Sequence, residues 1–152
     1  YSNPLASAGG YVGGHVAYPD KELGAAYDAA MKARVFGPLG MRSTTFDFAT
    51  VLRQNHATPH GEDIDGVPRV APMGPNYAII PIRPAGGAWS NVRDLARVVQ
   101  MELANGKIPG GDGKRLVSEA SIAARRAPQV SFGERQTYGM GLEVDRTWDL
   151  PW

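Results

Sequence analysis

Residues 84–106 read Pro84-Ala85-Gly86-Gly87-Ala88-Trp89-Ser90-Asn91-Val92-Arg93-Asp94-Leu95-Ala96-Arg97-Val98-Val99-Gln100-Met101-Glu102-Leu103-Ala104-Asn105-Gly106. A proline and two glycines stop whatever precedes them. The text then becomes periodic. Val92, Leu95, Ala96, Val98, Val99 and Leu103 recur at helical spacing, which predicts a helix over 92–104. Asn91 stands at the N-cap with Asp94 three residues on, a capping-box-like pair at the positive end of the helix dipole. Asn105-Gly106 supplies a left-handed stop.

Working outward, Leu23, Ala26, Tyr27, Ala30, Met31, Arg34 and Val35 predict a second helix, ended by Gly37-Pro38 because proline lacks the donor a continuing helix needs. A shorter Gly-rich helix is expected over 8–17, and a fourth from a Ser118 cap to Ala127 before Pro128. Tyr138, Met140, Leu142 and Val144 alternate with Gly139, Gly141 and Glu143, the pattern of one strand with a buried face. A lone strand needs neighbours, so its partners are expected outside the chain. Between Val51 and Pro84 the residues read as one long loop, either a surface excursion braced by Tyr77, Ile79, Ile80 and Ile82 or a cleft wall. The expected organisation is therefore α+β: a helical lobe over 1–127 and a sheet-edge strand near 138–144, all in one piece.

Composition narrows the chemistry. The 152 residues are 43% hydrophobic and carry 16 Lys+Arg against 15 Asp+Glu, a balance that points to no nucleic-acid face. Without cysteine there is no disulfide, thiolate nucleophile or Cys-based metal site. No apolar run approaches the ~18–20 residues that span a bilayer. The 19 Gly and 12 Pro mean many turns. Tyr1 at the start and Leu150-Pro151-Trp152 at the end both read as cuts, so a piece of a larger protein is expected.

Three strings stand in order: Tyr1-Ser2-Asn3, Pro38-Leu39-Gly40-Met41 and Pro84-Ala85-Gly86-Gly87 leading to Ser90 and Asp94, with Tyr138-Gly139-Met140-Gly141-Leu142 following. Together they resemble the serine β-lactamase and penicillin-binding-protein family, in its class C β-lactamase-like branch with esterases and D-amino-acid peptidases. The resemblance runs from Tyr1 to about Val144. It implies a β-lactamase/transpeptidase-like fold and a serine hydrolase acting through an acyl-enzyme on an ester or amide. It also implies roles: Tyr1 as general base and acid, Asn3 as the residue orienting substrate, and Ala85 and Gly86 at the border of the substrate pocket. A serine hydroxyl is a poor nucleophile until its proton is taken, and a neighbouring ammonium can bring a tyrosine into a useful range for that task. Many members are periplasmic or secreted.

The chain departs from the pattern in two places. None of its serines has Lys three residues on: after Ser2, Ser7, Ser43, Ser90, Ser118, Ser121 and Ser131 come Leu5, Gly10, Phe46, Arg93, Ser121, Ala124 and Glu134. No Lys-Thr-Gly, His-Thr-Gly or His-Gly-Gly occurs either. In the family these motifs lie upstream of the Tyr motif and downstream of the strand. The expected partners are therefore a small-molecule or peptide substrate and the remainder of the parent chain. The alternative is a non-catalytic binding or scaffold module on the same fold.

Other residues have plainer readings. His56, His60, Glu62, Asp63 and Asp65 hold enough nitrogen and oxygen for zinc, but Pro59 prevents one helix face from presenting both histidines, so no metal and no organic cofactor is expected. Trp89 reads as a pocket wall or a core anchor, Arg125-Arg126 as a solvated helix end, and Gly110–Lys114 as a hairpin-like turn.

Overall fold

The computed structural model describes residues 1–145, so the chain end at Leu150-Pro151-Trp152 lies outside it. The chain divides into two compact units, Tyr1–Leu95 and Ala96 onward, with the boundary inside a helix.

In the first unit, α1 spans Asn3–Ala17, five residues earlier than the glycines suggest. Ser2 caps it by accepting a hydrogen bond from the Leu5 N–H, and Pro4 sits in the first turn, where a missing donor costs nothing. Helix α2 spans Leu23–Met31, capped by the Glu22 carboxylate, which accepts from the Ala25 N–H at 3.0 Å. Gly10 and Gly14 let the two helices and their neighbours close up. A Cβ at Gly14 would stand 2.7 Å from the Tyr27 backbone, and one at Gly10 would stand 2.5 Å from Pro84 Cβ.

Gly37-Pro38 does not end the helical run as expected. A π turn over Lys32–Phe36 leads into α3, Gly37–Leu39, and the stop is Gly40, in the left-handed region at φ 69°. The widened turn already breaks the i→i−4 ladder ahead of Pro38, so the proline takes no donor from it. Leu39, Met41, Ala26 and Phe36 are buried here, beside an aromatic series in which Tyr27 and Phe36 both meet Phe46.

The long loop is also structured. It begins inside α4, Phe48–Leu52, and holds a small antiparallel hairpin of β1, His60–Glu62, and β2, Pro68–Val70. Asp63 shapes its turn by accepting from the Asp65 and Val67 N–H groups and from Arg69. Two runs of 3-10 turns follow over Gly74–Ala85, separated by a kink at Ile82, whose backbone is not helical. Thr45 and Trp89 then exchange backbone hydrogen bonds at 3.0 and 2.9 Å, closing the excursion at its neck.

Helix α5, Val92–Leu103, carries the unit boundary. Its buried positions are Asp94 and Met101, whereas Val92, Leu95, Val99 and Leu103, half of the apolar stripe and more, are 53–79% exposed. Leu5, Val12 and Val16 of α1 are likewise exposed. No described helix is long and apolar enough to cross a membrane.

In the second unit Asn105 and Gly106 take positive φ, and the Gly106 N–H reaches back to the Met101 carbonyl at 2.8 Å, the left-handed stop expected. Lys107 pairs with Arg115 across a turn through Gly110–Lys114. Helix α6, Glu119–Arg126, starts at its Ser118 cap. Its terminal arginines are not simply solvated: Arg126 donates to the Asn105 side chain at 3.0 Å, and Arg125 pairs with Glu102 and donates to the Met140 carbonyl at 3.1 Å.

The single strand at 138–144 is corrected to a hairpin. β4, Gln136–Tyr138, and β5, Glu143–Asp145, are antiparallel around a turn in which Gly141 has φ 72°. β3, Val130–Ser131, pairs with β4 on its other side, so the strand has partners within the chain. Alternating glycines mimic the period of a strand, yet here they mark the bend.

Candidate active-site wall

Of the residues singled out in the first unit, the structure brings Tyr1 to Ala85. The Tyr1 hydroxyl, on a side chain 80% exposed, donates to the Ala85 carbonyl at 3.5 Å, across 84 residues of sequence. Asn3 occupies the first turn of α1, two residues along, with its side chain exposed. Gly86 follows Ala85 directly and lines a cavity of about 490 Å³ whose other walls are Phe48, Asn76, Ile79, Ile82 and Trp89. Trp89 is half-buried and is both wall and anchor. It meets Phe48 edge-on at 5.4 Å and His56 at 6.2 Å.

The two glycines of this turn differ in what their backbone requires. Gly86 has φ 167°, extended backbone open to any residue, and a Cβ there would meet nothing within 4 Å. Gly87 is the constrained member, because a Cβ would lie 2.5 Å from Arg83 Cβ.

Several residues that hold this wall have no signature in the sequence. Ser7 donates to the Ile82 carbonyl at 3.0 Å and Tyr11 to the Pro81 carbonyl at 2.8 Å, both from α1. Arg83, only 14% exposed, makes a two-pronged pair with Asp28 of α2 at 2.7 and 3.1 Å. Asp28 holds the guanidinium more firmly protonated than usual, chiefly by hydrogen bonding. Asp94 does not complete a capping box. Asn91 caps α5 by accepting from the Asp94 N–H, and the Asp94 carboxylate turns instead to Ser43 and Thr44, at 2.8 Å each.

A larger hollow of about 640 Å³ opens between α2 and α4, with Asp28, Lys32, Arg42 and Asp47 among its lining. None of Tyr1, Asn3, Ala85 or Gly86 borders it. His56 and His60 turn their Nδ1 atoms to the Gln54 and Thr58 carbonyls at 2.8 and 2.9 Å. Among the described residues no three His, Asp or Glu side chains are grouped to hold a metal ion.

Comparison with known proteins matches the chain to the Beta-lactamase family model over residues 1–152. Protein Rv1367c of Mycobacterium tuberculosis (strain ATCC 25618 / H37Rv) is 30% identical over 110 residues, 71% of this chain and 27% of that protein. The uncharacterized protein MT1414 of M. tuberculosis (strain CDC 1551 / Oshkosh) matches to the same extent. The chain thus spans about a quarter of the length of these curated relatives. The octameric penicillin-binding protein homologue from Pyrococcus abyssi shares the fold, with TM-score 0.62 and 23% identity over 79% of this chain and 25% of that one. The mixed helices and small sheets are accordingly an α+β fold of the penicillin-binding-protein type, and the chain belongs to the Beta-lactamase family.

Proposed function

We propose that the chain is one lobe of a serine hydrolase that attacks an ester or amide carbonyl, forms an acyl-enzyme and releases it to water. Tyr1 moves the serine proton, Asn3 orients the substrate, and Ala85 and Gly86 form the wall against which the acyl group lies. The observation that carries this reading is the approach of the Tyr1 hydroxyl to Ala85, directly beside the cavity that Gly86 lines. Small residues at 85 and 86 leave that side open, and the apolar lining from Phe48, Ile79 and Ile82 suits an uncharged acyl group.

The nucleophile and the oxyanion-side strand come, on this reading, from the remainder of the parent polypeptide. The exposed stripes on α1 and α5 support that arrangement, since contiguous apolar faces of this kind normally find cover.

The test is the intact mass of the complete protein with and without a fluorophosphonate probe. One adduct on a serine outside residues 1–152 is expected, with Tyr1→Phe slowing acylation by about 10²–10⁴-fold. No adduct on the complete protein overturns the hydrolase reading in favour of a binding module on the same fold.

A further inference from the structure

We propose that Arg83 is the positioning residue that sets the distance between Tyr1 and the Ala85–Gly86 wall, an assignment that rests on the reading of that wall as substrate-facing. The residue is fastened at both ends. Its guanidinium forks onto the Asp28 carboxylate at 2.7 and 3.1 Å, donates to the Ile80 carbonyl at 3.0 Å, and lies 5.9 Å from the Tyr11 ring centre. Its own carbonyl accepts from the N–H groups of Gly86 and Gly87 at 3.2 and 2.8 Å. The turn that points the Ala85 carbonyl at Tyr1 is therefore built on the Arg83 backbone, while the Arg83 side chain is bolted to α2.

Two glycines are shaped around this bolt. A Cβ at Gly24 would stand 2.2 Å from Arg83 Nη2, and one at Gly87 would stand 2.5 Å from Arg83 Cβ. At 14% exposure, with its donors turned to Asp28 and Ile80, the guanidinium is a fastening and not a substrate-binding cation. The planar fork matters, since Lys offers a point charge that cannot reproduce a two-pronged grip on a carboxylate.

The experiment compares Arg83→Met, Arg83→Lys and Asp28→Asn in the complete protein by two readouts. Hydrogen exchange at the Gly86 and Gly87 amides is expected to rise about tenfold in Arg83→Met, less in Arg83→Lys, with α1 and α2 amides unchanged. Should Arg83→Met not fold, Asp28→Asn loosens the same grip and reads the same amides. Unchanged exchange at Gly86 and Gly87 in the folded variants overturns the assignment.

Kinetics on a chromogenic ester supply the second readout. The expected result is a KM raised about tenfold with the number of fluorophosphonate-reactive serines per molecule unchanged. A lower reactive fraction at unchanged KM marks a merely structural role and overturns the proposal. If the unmodified protein takes no adduct at all, the hydrolase reading falls, and the exchange measurement still decides whether Arg83 holds the turn.

Discussion

The Asp94 carboxylate accepts the backbone N–H of Ser43 at 2.8 Å, joining the start of α5 to a segment 51 residues earlier. The same oxygen takes the Thr44 hydroxyl, and Thr44 in turn meets Ser90. A buried carboxylate is retained here because two donors aim at it. Asp94→Ala removes the acceptor of the Ser43 N–H and leaves the Thr44 hydroxyl only Ser90. It is expected to cost about 1–3 kcal/mol, with Asp94→Asn recovering part through its one carbonyl oxygen. Urea unfolding checks it, and a change below about 0.5 kcal/mol for Ala removes the network from the account of stability.

Neighbouring glycines in α1 are expected to respond in opposite directions. Gly14→Ala drives a Cβ to 2.7 Å from the Tyr27 backbone, which has no flexible end to move aside. A loss of about 1–3 kcal/mol follows. Gly13→Ala meets nothing within 4 Å and gains about 0.5–1 kcal/mol from helix propensity. Thermal melts of the two variants of this chain show the contrast. In the complete protein a destabilising Gly13→Ala would reveal a neighbour seated on that face.

Tyr27 gives the first unit an alkaline limit. Burial, reinforced by the Asp28 charge, pushes its phenol up from 10 to about 12. The folded state holds the proton more tightly, so this contribution is complete below pH 10 and is lost as pH rises through 12. At about 1.4 kcal/mol per pKa unit the loss approaches roughly 2–3 kcal/mol. Tyr27→Phe is expected to flatten the decline between pH 10 and 12, measured as the difference in urea midpoints. Parallel curves for the two proteins would assign the decline to other groups.

In the second unit Ile122 is 1% exposed, and Ile122→Ala is expected to cost about 2–5 kcal/mol. Because Ile122 lies beside Gly106, whose Cβ would stand 3.4 Å from its Cγ1, hydrogen exchange should accelerate around the 106–117 loop. Uniform exchange across residues 1–95 as well would show the two units opening together.

The helices with strong periodicity were legible before any coordinates: α2, α5 with its Asn105-Gly106 stop, and α6 with its Ser118 cap. Their caps and periods are local, and locality is what a sequence displays. The hairpin at 60–70 was hidden because all six of its strand residues are exposed, leaving no alternation to read. The 3-10 turns were hidden by Pro75, Pro81 and Pro84, which read as breakers. At the candidate wall, Tyr1 and Ala85 could be named from motifs, but their approach spans 84 residues and depends on contacts such as Arg83 with Asp28. Two missed caps had a visible signal: Ser2 followed by Pro4 at α1, and Asp47 three residues before Thr50 at α4.

The neck formed by Thr45 and Trp89 makes the intervening stretch a handle. At its far end Ile64 is fully exposed, at 101%, on the turn that Asp63 shapes. Severing the backbone there leaves each half gripping the other through the neck and the Asp94 knot, so a nicked molecule stays associated. The same tip contributes no residue to the Gly86 cavity, so an inserted tag or fluorophore is expected to be tolerated there and to serve as a grip for immobilising the lobe.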